Sequence, residues 1–155
     1  MKNILVAIDF SNATDTVLEQ IGRLACPNSS VIHLVHVVEP NICYEVSGVM
    51  PDEIPMSATT PEEENTIIAI AKNHLNKAAE KLKAITGAEV TQNVIDEFEI
   101  SDAVLNFAKT HDIDMIVVGK HNHGFLSSVL LGSVTQSIVR LSPVPVLVVP
   151  APDKK

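Results

Sequence analysis

The sequence predicts an α/β fold: a five-stranded, parallel, open sheet with helices on both faces. Three observations carry that expectation. Short runs rich in Val, Ile and Leu alternate with stretches of helical period from one end of the 155-residue chain to the other. Most of these runs are apolar throughout, as strands covered on both faces must be. Strands alternating with helices pair in parallel through right-handed crossovers, which place helices on both sides of the sheet.

Each element has its own signal. KNILVAID (2–9) is a continuous apolar run between polar ends and reads as the first strand. Ser11 offers an N-cap, Val17, Leu18, Ile21, Leu24 and Ala25 follow at helical spacing, and Pro27 stops the helix. VIHLVHVV (31–38) is the second strand, ended by Glu39-Pro40; its His33 and His36, three apart, face opposite sides of the sheet. The stretch 41–60 has no clear period and carries Pro51 and Pro55. At about twenty residues it exceeds ordinary connections and is expected to be a functional flap or a mobile insertion.

Thr60, Pro61 and Glu63 then spell a capping box with proline at the first helical position. The helix they open carries Ile68, Ala71, Leu75, Ala78, Leu82 and Ile85, and Gly87 is its natural C-cap. EVTQNVI (89–95) alternates weakly, as an edge strand does. Ile100, Ala103, Val104, Phe107 and Ala108 form a third amphipathic helix, and 113–118 is the fourth and most apolar strand. A loop, GKHNHGFLSSVLLGS (119–133), leads to a helix with Val134, Ile138, Val139 and Leu141; Pro143 and Pro145 precede the last strand, VLVV.

Composition bounds the function. The length fits a single domain spanning residues 1–155, and 46% hydrophobic residues are enough for a real core. A net charge of -8 with few, dispersed Lys and Arg excludes a surface that tracks nucleic-acid phosphates. No apolar run approaches the roughly 20 residues that span a bilayer. The N-terminus has one Lys and no small-residue cleavage pattern, so the expected compartment is the cytoplasm. Cys26 and Cys43 form neither C-x-x-C nor a zinc pattern, and are expected to be reduced thiols.

In open sheets of this kind ligands sit outside the carboxyl ends of the strands, where the strand order reverses. Asp9 and Gly119, at the ends of the first and fourth strands, mark that edge. Gly119, Gly124 and Gly132 permit positive φ and close backbone approach. Gly132-Ser133 stands immediately before the fourth helix, whose free N–H groups and dipole attract an anion. Together these describe a phosphate cradle made largely of backbone; the alternative is that the glycines only turn the chain. It is neither a Walker A loop nor G-x-G-x-x-G, which disfavours hydride transfer.

The other chemistries of the loop are weaker. His121 and His123 lack a third and fourth partner at metal-ligand spacing, so no metal site is assigned there. Ser127 and Ser128 lack G-x-S-x-G and an acid–base partner, so no catalytic residue is assigned either. The Asp9 carboxylate can accept from a ribose hydroxyl or hold Mg²⁺ beside phosphates; alternatively it caps the first helix.

The residues resemble those of the universal stress protein family. KNILVAIDFS is similar to that family's first strand, LVHVVEP to its second, and IDMIVVGKHNHGFLSSVLLGSVTQSIVR with PVPVLVVP to its most diagnostic segment. Nucleotide-binding members carry G-x2-G-x9-G-S/T, and Gly119, Gly132 and Ser133 fall on three of its marks. The resemblance implies a Rossmann-like sheet of the adenine nucleotide α-hydrolase type, in the order 3-2-1-4-5. It also implies a homodimer through the last strand (Pro145–Val149) and a bound ATP or AMP, beside which Mg²⁺ is the ion that the Asp9 carboxylate could hold.

Carried over by position, Asp9 would meet the ribose–phosphate region and the Val37 backbone would meet adenine, with Ala7 also among the nucleotide-binding residues. Gly119 would lie by the ribose. Gly132, Ser133 and Val134 would bind phosphates, with His121, Asn122 and Gly124 completing the loop. One position departs: where the family has its second glycine this chain has Asn122, with Gly124 two places on. Asn tolerates the left-handed conformation better than other non-glycine residues, although its side chain reaches toward the terminal phosphates. The expected function is therefore a nucleotide-dependent regulatory, stress-response module acting on a protein partner. Two alternatives stand beside it, a dimeric interaction module without nucleotide and a slow ATPase. Hydrolysis would need a base and positive charge, and only Lys120, His121 and His123 lie near.

Overall fold

A computed structural model describes residues 3–11, 13–24, 29–39, 42–43, 57–58, 61–120 and 131–150, with side chains excepted at 42–43, 57–58 and 61–64. Five parallel strands make the main sheet: β1 (Asn3–Ala7), β2 (Val31–Val38), β3 (Glu89–Asp96), β4 (Met115–Lys120) and β5 (Val146–Pro150). Their spatial order is β3-β2-β1-β4-β5, the expected 3-2-1-4-5. The chain runs outward from β1 to β3 on one side, then crosses back to lay β4 on the other side of β1. The order therefore reverses between β1 and β4.

Four helices cover the two faces: α1 (Ala13–Leu24), α2 (Pro61–Thr86), α3 (Ile100–Thr110) and α4 (Ser133–Leu141). Successive residues of a strand point to opposite faces, and β1 divides its side chains accordingly. Ile4 and Val6 pack with Val17, Leu18 and Ile21 of α1 and with Leu75, Ala79 and Leu82 of α2. Leu5 packs with Val104, Leu105 and Phe107 of α3 and with Ile138 of α4. Ile4, Leu5 and Val6 are each at most 1% exposed, and burial of each stabilises by roughly 1.5–3 kcal/mol. The central strand is thus the rigid member from which the site's elements depart.

Several boundaries follow local chemistry. Gly87 ends α2 at φ +63, with its N–H on the Lys83 carbonyl at 2.8 Å. This is the left-handed cap that glycine accepts without a Cβ penalty. Thr60 and the Glu63 side chain, the other parts of the capping box, lie outside the described residues. Within 41–60, Ile42–Cys43 pairs antiparallel with Ser57–Ala58, a short ladder that periodicity does not reveal. Cys26 lies outside the described residues.

Three expectations need correction. The fourth strand begins at Met115 and runs to Lys120, so Gly119 is a strand residue and not the first residue of the loop. The apolar stripes are narrower than their spacing suggests: Leu24, Ile85, Val139 and Leu141 are 51%, 46%, 44% and 53% exposed. All four lie in the C-terminal parts of their helices. Ile85 nevertheless has a packing role: a Cβ on Gly22 would come within 2.4 Å of its Cγ2, so glycine lets α1 and α2 touch. Finally, of the glycines in the described residues, Gly87 is the one at positive φ, so Gly119 and Gly132 are not there for left-handed backbone.

Candidate functional site

The site is built from the turns that leave β1 and β4. After β1 the Ile8 N–H still bonds the Val35 carbonyl of β2, and the Ile8 carbonyl accepts from His36 Nδ1 at 2.8 Å. The chain then turns sharply at Phe10, whose φ is +57. A bulky residue there is a strained exception, held by ring contacts with His36 (centroids 4.3 Å apart) and His74 (5.0 Å). Asp9 Oδ1 accepts the Ser11 N–H at 3.0 Å, and Ser11 Oγ accepts the Ala13 N–H at 3.2 Å. Capping of α1 therefore falls to Ser11, while Asp9 sets the turn before it and stays exposed at the rim.

At β4 the glycine serves packing. A Cβ on Gly119 would lie 3.2 Å from Ala13 Cβ and 3.5 Å from Val17 Cγ2, so its absence lets the first turn of α1 settle on the strand. The Gly119 carbonyl accepts from Thr135 Oγ1 at 3.3 Å, which ties α4 to the same strand end. Gly132 is the N-cap of α4 with φ -61 and ψ 156, and no side-chain cap bonds this helix start. Among the described residues, no atom lies within 4 Å of the place a Gly132 Cβ would occupy. Ser133, the first helical residue, is exposed.

Between these turns lies a cleft of about 270 Å³ at the carboxyl ends of β1, β2 and β4. Ala7, Ile8 and Asp9 supply one wall, Val35, His36 and Val37 another, Val118 and Gly119 a third. Ala13, Thr14 and Val17 enter from α1, Ile100 and Val104 from α3, and Val134, Thr135 and Ile138 from α4. Of the residues singled out in the sequence, Ala7, Asp9, Val37, Gly119 and Val134 line the cleft. Gly132 and Ser133 begin the helix at its border without lining it, and His121, Asn122 and Gly124 lie outside the described residues.

Most of the lining was not foreseen. Ile100, Val104 and Ile138 read in sequence as ordinary helix-core positions, and Thr14 carries no motif. Only the packing of α3 on β2, of α4 on β4 and β5, and of the two helices on each other brings them together. The result is a largely apolar chamber with a few polar groups at its mouth, the usual make-up of a small-molecule site. Thr14 Oγ1 is buried and has no hydrogen-bond partner among the described residues.

The strand histidines take opposite faces, as their spacing requires. His36 borders the cleft, whereas His33 shares a 3.0 Å hydrogen bond with Thr91 Oγ1 and lies near Phe107 and His111. Burial, and then the charge of His111, hold His33 below its ordinary value, with Glu89 pulling the other way. No group of three or more His, Cys, Asp or Glu able to hold a metal occurs among the described residues. No helix among them is long and apolar enough to cross a membrane.

Known proteins share this architecture. The chain is 26% identical to universal stress protein A homolog 1 of Coxiella burnetii, over 96% of this chain and 95% of that protein. The solved structure of protein MJ0577, which Methanocaldococcus jannaschii carries as a universal stress protein, superposes with a TM-score of 0.78. That match has 25% identity and covers 99% of this chain and 98% of the other. Two further structures share the fold. A universal stress protein from Archaeoglobus fulgidus in complex with dAMP has a TM-score of 0.65 and 22% identity, covering 96% of this chain and 97% of that one. A universal stress protein in complex with cAMP has a TM-score of 0.67 and 20% identity, covering 97% and 98%. The family model described as the universal stress protein family matches residues 1–150, and the chain belongs to that family.

Proposed function

We propose that the cleft binds an adenine nucleotide, ATP or AMP, and that the chain acts as a nucleotide-dependent regulatory module. The observation that carries this reading is the pairing of an apolar chamber with an uncapped helix start at the β1/β4 reversal. Val37, Ile100, Val104 and Val134 offer apolar contact to a flat base, while the carboxyl end of β2 is the place for a backbone group to meet its ring nitrogens. The exposed Asp9 carboxylate suits ribose hydroxyls, or a Mg²⁺ ion beside phosphates. Gly132, Ser133 and Val134 present N–H groups and the positive end of the α4 dipole to phosphate. Gly132 fits this role because the space before its Cα is open.

The bound dAMP and cAMP of the two fold relatives favour the same ligand class. His121, Asn122 and Gly124 would close the loop over the phosphates, and Asn122 in the place of a glycine would set how many of them fit. The bound state would change a surface read by a protein partner in the cytoplasm. Pairing of two copies through Pro145–Val149 is part of the proposal. β5 is a sheet edge with half-buried Val146, Leu147 and Val148, and the exposed Val139 and Leu141 precede it on α4; unpaired apolar edges invite another strand.

The test is to identify by mass the small molecule that copurifies, and to titrate emptied protein with ATP and AMP. An adenine nucleotide in the purified protein and micromolar affinity are expected. Protein that carries none, and binds neither more tightly than millimolar, refutes the reading.

A further inference from the structure

We infer that Thr14 is a ligand-binding residue of the cleft, its hydroxyl bonding the sugar–phosphate portion of the nucleotide beside Asp9. The inference rests on the adenine-nucleotide reading above and adds a side chain to it. Thr14 is the second residue of α1 and lines the cleft. Its Oγ1 is shut off from solvent and has no hydrogen-bond partner among the described residues.

A helical threonine has an ordinary outlet for its hydroxyl, the carbonyl three or four residues back. Thr86 and Thr110 use it, on the Leu82 and Asn106 carbonyls. Thr14 stands second in its helix, so the carbonyls three and four back, those of Ser11 and Phe10, precede the helix. The Ser11 carbonyl accepts the Thr14 N–H at 3.0 Å, and the Thr14 hydroxyl bonds neither carbonyl.

Thr135 provides an internal contrast. Thr135 is a buried residue, whereas Thr14 is half-buried with a buried hydroxyl; both sit in the first turn of a helix and line the cleft, but the Thr135 Oγ1 donates to the Gly119 carbonyl at 3.3 Å. Two threonines thus flank one cleft from two helix starts, and one of them has its partner inside the protein. Native folds leave few buried polar groups unpaired, because an unpaired group forfeits its bonds to water. A phosphate oxygen or sugar hydroxyl in the cleft supplies what Thr14 lacks, within one χ1 rotation between the two rotamers that threonine uses in helices.

The test compares wild type, Thr14→Val and Thr14→Ser by titration with AMP and with adenosine, and by thermal melting without ligand. Thr14→Val should weaken AMP binding about tenfold or more, the effect of losing a hydrogen bond to a charged group. Thr14→Ser should stay within about threefold of wild type, since it keeps the hydroxyl. Without ligand Thr14→Val should melt at or above the wild-type temperature, because a methyl replaces an unpaired hydroxyl. A loss shared by adenosine assigns the bond to the sugar, and a loss confined to AMP assigns it to the phosphate. Unchanged AMP affinity in Thr14→Val overturns the inference. So does a ligand-free Thr14→Val that melts below wild type while Thr14→Ser binds no better, the mark of a structural hydroxyl. Wild type that binds neither AMP nor ATP removes the nucleotide reading itself, a result distinct from a binding wild type matched by Thr14→Val.

Discussion

The two helices that start at the cleft are finished differently. α1 is closed by its own side chains: Asp9 accepts from Ser11, Ser11 Oγ from Ala13, and the Ser11 carbonyl from Thr14. α4 starts at a glycine with no side-chain cap, and its first bond back is Gln136 N–H to the Gly132 carbonyl at 2.8 Å. An uncapped start attracts an anion more strongly than one whose N–H groups are already bonded. If the cleft holds the proposed nucleotide, the α4 start is the side that would draw phosphate most strongly.

The glycines at the two ends of the 119–133 segment divide in the same way, and their substitutions should break the comparison most visibly. Gly132→Val fills the open space before α4. AMP affinity should fall by about 100-fold or more, the equivalent of losing one or two charge-assisted bonds. The thermal midpoint should fall by only about 2–4 °C, the cost of valine at an N-cap, because among the described residues no atom lies where the Cβ would stand. Gly119→Ala should do the reverse. Its Cβ meets Ala13, itself 2% exposed and seated under α1, so overpacking should cost about 1–3 kcal/mol of stability. Calorimetric melting and AMP titration on both variants check the split. If Gly132→Val melts early with intact affinity, the assignment of the two glycines is reversed.

The capped start offers a smaller effect. Ser11→Ala removes the acceptor for Ala13 N–H and should cost about 1 kcal/mol, a midpoint lower by about 2–4 °C in a chain of this size. Because the cap serves the helix and not the ligand, AMP affinity of the folded protein should stay within about threefold. A large loss of affinity with an unchanged midpoint would place Ser11 in the site instead of under it.

Legibility in the sequence tracks how local each determinant is. The strands and helices were readable because burial on one or both faces writes a period into consecutive residues, as in 31–38 and in the Ala71–Leu82 stripe. Asp9 and Gly132 were readable because a strand end and a helix start are local events. The apolar walls were not, since nothing near Ile100 or Ile138 says that α3 and α4 will close over the same strand ends. Gly119 was placed in the loop because glycine reads as a turn; its real reason, the approach of Ala13, is more than a hundred residues away in sequence. Thr14 was invisible for a similar reason. Nothing near it in sequence says that its hydroxyl will be buried without a partner among the described residues.

The smallest expected effect concerns the pair His33 and His111, which meet beside Phe107 on the α3 face of the sheet. His33 is held below 6.5 by burial first and by His111 second. In the unfolded chain it takes up a proton as the pH falls through about 6.5, before the folded protein does. The unfolded state then binds more protons, so stability present above that value is lost as the pH falls toward the depressed native value, and levels off below it. Melting curves between about pH 7.5 and about pH 5.5 should show wild type losing more than His33→Gln across that window. His111→Asn should flatten the curve less than His33→Gln, because burial outweighs repulsion. If His111→Asn flattens it more, the charge of His111 and not burial is the dominant cause of the His33 shift.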